Sequence, residues 1–588
     1  MKMNKLGELR PNQLITTFGP GALMDVINDS VTILDINYWK VWGKTIYDAR
    51  LAAYLGVNNF KTPRTTFQGD IPVVSFPNYH VCSKSNCSNL FDLSINFSAD
   101  KYLQYGPRCP ECGFPAYPAR FIVACSDGHL DDFPWSWWVH RGENYCKGSM
   151  KLISTGKTSS LSDIIVKCSC GATRSMSGAT QSENFIGLKC SGRHPHIPSL
   201  SKKKDGTYSK CKKPVIPSQR GASNVYFPVI RSAISIPPWI NPLNSLIDEH
   251  YRDILNYRTD FGDMGVTKIY EKYFEDKFNR AEFDDALNKR DEKIKEFTEI
   301  KEMEYAAITH HDDLLYQTNV KYFKSEEETV PEYLKKNISR IVKVHRLREV
   351  MVLLGFMRMD SPEPEVDDAK NIVMLSKDKM DESWLPGVEV NGEGVFIEFN
   401  KETVQKWKNS LRISSLSSKY KTSYSDWCSS KGWTKYKDRD AEYVLLHSFA
   451  HLMIKEMAMQ SGYSSSAIKE RIYSSETMCG VLLYTGSSDK EGSLGGLVEL
   501  GNIGSFTKIL KAALENALTC TTDPECMINE PDKNKMNGAA CHSCLMISET
   551  ACENGNRLLD RSLVVPLSGK EESGYFRDLV NELCGIQI

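Results

Sequence analysis

Cys82 and Cys87, followed by Cys109-Pro110-Glu111-Cys112, place four thiols in two closely spaced pairs. Thiolates clustered in this way are how short, loop-rich segments capture a tetrahedral zinc ion. Two further sets follow. One is Cys168-Ser169-Cys170 with Cys190 and Cys211; the other is Cys520 and Cys526 with Cys541-His542-Ser543-Cys544. Twelve of the 18 cysteines thus fall into three groups of four, which predicts three structural zinc sites. Cys146, His194 and His196 lie near enough to replace a ligand of the second group, and Cys552 could replace one of the third.

Disulfides and a redox pair are the competing uses of these thiols. The start of the chain, Met1 to Arg10, has no apolar core of a secretory leader, so the expectation is a reducing, cytoplasmic setting in which zinc is the better reading. A redox CxxC would stand alone at the end of a strand. Cys109 and Cys112 instead have a second pair upstream, the two-knuckle layout of a zinc ribbon.

These clusters need elements to hold them. A chain of 588 residues implies several domains, and the expectation is an α+β multidomain protein. The predicted parts are an N-terminal segment (1–75), a first zinc-ribbon module (76–144), a second zinc module (145–240), a helical region (241–360) and a C-terminal α/β zinc-binding domain (361–588). Phe121 to Cys125 reads as a strand, Asp276 to Lys301 as a largely solvated helix and Ile338 to Met359 as a helix returning to a core. Asp360 to Glu365 reads as a linker. Asn391-Gly392 between Val388-Glu389-Val390 and Val395 to Phe399 signals a β-hairpin. Glu442 to Gln460, with Leu446, Ala450, Met453 and Met457 on one stripe and Gly462 beyond, is the clearest helix.

Catalytic motifs are incomplete. Gly156-Lys157-Thr158 resembles the end of a phosphate-binding loop, but position 151 is lysine where that loop needs glycine. His447 and His451 have the helical spacing of zinc proteases, yet Ser448 stands where those enzymes carry glutamate. His310 to Asp313 lacks further metal ligands, and Pro531-Asp532 with Lys533 and Lys535 lacks a carboxylate-bearing strand. Gly492, Gly495 and Gly496 suit a tight turn or an anion-binding nest. Lys and Arg total 73 against 74 Asp and Glu, so the molecule as a whole lacks the positive field of an autonomous nonspecific DNA binder. No run of 18 apolar residues predicts a membrane span.

Leu9-Arg10-Pro11-Asn12-Gln13-Leu14-Ile15-Thr16-Thr17-Phe18-Gly19-Pro20-Gly21, the block Ala124 to Trp135, and Arg220-Gly221-Ala222-Ser223-Asn224-Val225-Tyr226-Phe227-Pro228 resemble the DrmB family of the bacterial DISARM antiphage system. The stretch from Tyr484 through Cys541-His542-Ser543-Cys544 to Arg561 is similar to the zinc-binding helicase-associated domain of MrfA-type helicases. The resemblance implies a noncatalytic subunit that pairs with a separate superfamily 2 helicase, DrmA, and helps engage DNA, single-stranded or with an overhang. It supplies no catalytic residue. Arg557 and Arg561, four residues apart, are the candidate DNA contacts if a helix carries both on one face. A metal-dependent nuclease or phosphohydrolase built on His447 and His451 is the alternative of a different class.

Overall fold

A computed structural model describes residues 6–64, 70–95, 98–142, 145–154, 156, 160–198, 211–310, 322–363, 371–375, 384–487, 495–532 and 535–585. Lys157, Thr158, His311 to Asp313, Glu365, Gly492 and Lys533 lie outside them.

The largest sheet is built on five strands: β1 (Phe227–Ile234), β2 (Ile338–Met357), β3 (Trp384–Phe399), β4 (Ile468–Ser474) and β5 (Cys479–Ser487), in the spatial order β1-β2-β3-β5-β4. Neighbours in this order are antiparallel. Both faces are covered, and successive residues alternate between two cores. Ile341, Val395, Ile397, Val481 and Leu483 enter one; Val342, Phe396, Leu482 and Tyr484 enter the other. A strand buried on both faces reads as an unbroken apolar run, which is why Ile338 to Met359, expected as a helix, is a strand through Met357.

The Asn391-Gly392 hairpin is likewise not formed. Asn391 sits mid-strand in β3, opposite Arg348 on β2 and Ser487 on β5. Gly392 is needed for space: a Cβ there would lie 1.6 Å from the Thr485 carbonyl oxygen.

Helices α1 (Pro242–Phe261), α2 (Asp263–Tyr273) and α3 (Arg280–Asp291) form their own small core around Ile254, Phe274 and Phe283. The expected continuous helix from Asp276 to Lys301 is broken between α3 and α4 (Phe297–Thr309). The two halves serve different cores: Phe283 and Leu287 face α1 and α2, whereas Ile300, Ala307 and Ile308 pack against the large sheet. Two long helices follow, α5 (Leu411–Ser430) and α6 (Ala441–Ser461), then α7 (Ile503–Ala517). Asp440 caps α6 by accepting from the Glu442 and Tyr443 amides, and Gly462 ends it at φ 74°. The α6 helix is buried almost all round rather than along one stripe, because it runs between the sheet, α7 and the C-terminal loops. Among the described residues no helix is long and apolar enough to cross a membrane.

Expected boundaries do not partition the sheets. One six-stranded sheet joins the two N-terminal zinc regions, with Asn89–Asp92 paired to Met150–Ser154. The N-terminal segment gives strand Asn59–Pro63, which runs parallel to the start of β3. Its strand Asp29–Ile33 adds a buried polar tie: Asp29 accepts from His80 Nε2 at 2.9 Å, Ser75 Oγ at 2.7 Å and Tyr102 OH at 2.5 Å. Burial alone would raise this carboxyl, but those donors, His80 foremost, hold it below the usual value of 3.8. Its contribution is therefore present above the unfolded value and is lost as pH falls through the lower folded one. Removing one member of a buried pair costs about 3 to 5 kcal/mol. At neutral pH, Asp29→Ala is expected to lower the melting temperature, and an unchanged melting curve would remove the tie from the list of stabilising contacts.

Candidate metal centres

Among the described residues, four clusters made of Cys and His alone gather around the N-terminal sheets and behind α7. In each, the ligand atoms lie within 4.8 Å of one another. Cys82 ends strand Tyr79–Cys82, and Cys87, Cys109 and Cys112 come from the two flanking turns. Cys82 Sγ is 3.4 Å from Cys112 Sγ, and Cys87 Sγ is 3.8 Å from Cys109 Sγ. A tetrahedral zinc with bonds of about 2.3 Å sets thiolates about 3.8 Å apart, whereas a disulfide needs about 2.0 Å. Cys520, Cys526, Cys541 and Cys544 repeat the pattern behind α7, with Sγ separations of 3.4 Å for Cys520 and Cys541 and 3.7 Å for Cys526 and Cys544.

The set Cys168, Cys170, Cys190 and Cys211 is not brought to one point. It divides between two centres. Cys168 and Cys170 meet Cys146 and His140, with Cys146 Sγ 3.6 Å from Cys168 Sγ and His140 Nε2 3.3 Å from Cys170 Sγ. Cys190 and Cys211 meet Cys125 and His129, whose Nδ1 is 3.3 Å from Cys125 Sγ. Cys146, weighed as a substitute ligand, is drawn in. His194 and His196 are not: His196 packs edge-on against Phe356 at 5.1 Å, and His194 against His196. The ligands missed were Cys125, His129 and His140. The spacing Cys125-x3-His129 was the available signal, hidden because Cys125 ends an apolar strand run.

Local hydrogen bonds orient one imidazole and several of the sulfurs. His140 donates from Nδ1 to the Ser136 carbonyl at 2.7 Å, which leaves the Nε2 lone pair facing Cys170. Backbone amides two residues on donate to sulfur at Cys146, Cys190 and Cys211, each at 3.4 Å. The Phe114 amide and the neighbouring thiols draw Cys112 down to about 7, whereas burial pushes Cys82 of the same tetrad up to about 12. The Ala172 amide, with His140, draws Cys170 down to about 6.

Arg557 and Arg561 do not share a helix face. Arg557 lies in a turn, stacks on Trp427 and pairs with Glu363 at 3.0 Å. Arg561 is fully buried, donating to the Ala517 carbonyl at 2.8 Å and to Asp523 at 2.5 Å, beside the Cys520 loop. Both guanidiniums have partners within the fold, and the expected arrangement of two arginines on one helix face is not formed. The Glu363 partner also ties down the start of the expected linker. His447 and His451 are fully buried within α6.

Over 573 residues the chain is 47% identical to a protein described as DISARM protein DrmB from Bacillus paralicheniformis, covering 95% of this chain and 100% of that one. The chain belongs to the DrmB family. Within this DrmB-family chain, residues 10–227, which hold the first three centres, match a domain of unknown function, DUF8724. Residues 449–545 match the MrfA Zn-binding domain and contain Cys520, Cys526, Cys541 and Cys544. Zinc is thus the cofactor that the thiolate tetrads fit. A solved structure titled as the DUF1998 helicase MrfA bound to DNA aligns with 34% of this chain and 22% of its own, at 12% identity and a TM-score of 0.17.

Proposed function

We propose that this DrmB-family chain is a noncatalytic subunit of a cytoplasmic DISARM defence complex, paired with a DrmA-type superfamily 2 helicase and helping to engage or gate phage DNA. The observation that carries this is full-length identity of 47% to a DISARM DrmB. A net charge of −1 fits a subunit that shares a DNA path rather than one that holds DNA alone. The zinc centres would keep loops rigid for docking, since a bound structural zinc contributes folding free energy directly.

Co-expression with the helicase of the same system, followed by size exclusion and DNA titration at several salt concentrations, tests the reading. A stoichiometric complex that binds DNA more tightly than the helicase alone is expected. Two separately eluting proteins, or turnover of DNA by this chain in isolation, would overturn it. The hydrolytic alternative has no support from the position of His447 and His451, whose side chains are closed off from solvent.

A further inference from the structure

Four side chains from three separate elements converge in the core behind the large sheet. His447 and His451 come from α6, Glu470 from β4 and Cys552 from the loop after the fourth tetrad. His447 Nε2 lies 3.0 Å from Glu470 Oε1 and 3.2 Å from Cys552 Sγ, and His451 Nε2 lies 3.4 Å from Glu470 Oε2. All four residues are buried, and the two imidazoles and the carboxylate have no exposed side-chain surface.

The hydrogen bonds around the cluster orient it inward. His447 Nδ1 faces the Leu558 carbonyl at 3.2 Å, and His451 Nδ1 faces the Leu545 carbonyl at 3.0 Å. A ring proton on each Nδ1 satisfies those carbonyls and leaves both Nε2 lone pairs aimed at Glu470. Lone pairs would then face a carboxylate, and buried Glu470 Oε2 has no hydrogen-bond donor. Protonating one ring leaves the other lone pair against the carboxylate, and protonating both would bury two imidazolium ions against one carboxylate, an arrangement that burial disfavours. A cation at the convergence point removes the conflict. The Cys552 sulfur supports the same solution: it accepts the Asn554 amide at 3.3 Å and the Asn556 amide at 3.2 Å, the amide-to-sulfur pattern seen at Cys146, Cys190 and Cys211.

We propose that His447, His451, Glu470 and Cys552 form a fifth zinc centre. Two neutral imidazoles, one carboxylate and one thiolate carry two negative charges, which a divalent ion cancels in a dry site. Nitrogen, oxygen and sulfur donors together suit zinc, and backbone carbonyls on the far ring nitrogens are the usual outer support for ligating histidines. With four protein donors, all of them buried, the centre is a closed structural tie rather than a hydrolytic one. It fastens α6 and β4 to the C-terminal loop. His447 and Cys552 lie outside residues 449–545, the stretch matched by the MrfA Zn-binding domain, so this centre is separate from the thiolate tetrad within it.

The test is an anomalous difference map at the zinc edge from crystals of the full chain, together with elemental analysis of the same protein. A peak between these four atoms is expected alongside peaks at the four other centres. Cys552→Ala is expected to lose one zinc ion per chain and keep the rest. Peaks at the other centres with none here, a folded Cys552→Ala protein with unchanged zinc content, or an ion of another element at this position would each overturn the proposal. If Cys552→Ala fails to fold, the map of the unaltered chain still decides.

Discussion

Cys109→Ser is expected to strip zinc from the first centre and unfold the N-terminal sheet around it. A serine hydroxyl is a far poorer zinc ligand than a thiolate at neutral pH. Structural zinc contributes about 10 to 16 kcal/mol of apparent binding free energy in small modules, against a net stability of about 5 to 15 kcal/mol for a whole domain. The metal therefore decides whether the module folds. Damage should spread beyond the first centre, because Leu90 beside its knuckle pairs with Met150 on the strand that leads to Cys168. The measurements are zinc content and tryptic cleavage of the full chain. Loss of at least one ion with rapid cleavage between residues 76 and 240 is expected, and full zinc content with an uncut N-terminal half would refute it. Cys428→Ser is the control: this buried thiol belongs to no cluster among the described residues, so about 1 to 2 kcal/mol is expected.

The first and fourth tetrads were legible because each is made of two short pairs that follow one another in the chain with no ligand of another centre between them. The middle cysteines were not, because one centre is nested inside the other along the chain. Cys125 and His129 wait for Cys190 and Cys211, while His140 and Cys146 take Cys168 and Cys170, which come between. Spacing says that pairs exist; the path of the strands between them says which pairs meet. The same limit explains the large sheet. Ile338 to Met357 satisfies two cores at once, so its two-residue period was invisible as a change of polarity. Gly392 was read as a turn residue when its purpose is close approach of β5. Arg557 and Arg561 carried no mark of burial, since their partners Glu363 and Asp523 lie far off in sequence.

Arg358→Met is expected to loosen the N-terminal zinc region from the large sheet while leaving its zinc in place. Arg358 follows β2, is fully buried and has no ion pair to a carboxylate among the described residues. Its charge is met by three carbonyls: Nε donates to Gly128 at 2.9 Å, Nη1 to Val225 at 2.7 Å and Nη2 to Gly21 at 2.8 Å. These acceptors belong to the three separate strings that carry the DrmB resemblance, so one side chain is where those strings meet. Burial draws the guanidinium down to about 10, which leaves it charged at neutral pH. Gly21 and Gly128 present their carbonyls from positive φ, 84° and 79°, with Phe356 and Val373 filling the space a Cβ would need. Methionine can occupy much of the volume but donates nothing, and each orphaned carbonyl costs about 1 to 3 kcal/mol. Lysine offers a single ammonium in place of a planar fork, so Arg358→Lys should recover only part of the loss. Hydrogen exchange decides the matter: faster exchange of amides near Gly21, Gly128 and Val225 with unchanged zinc content is expected. Exchange in Arg358→Met indistinguishable from the unaltered chain would show that packing of Phe356 and its neighbours, and not the guanidinium, joins these strings.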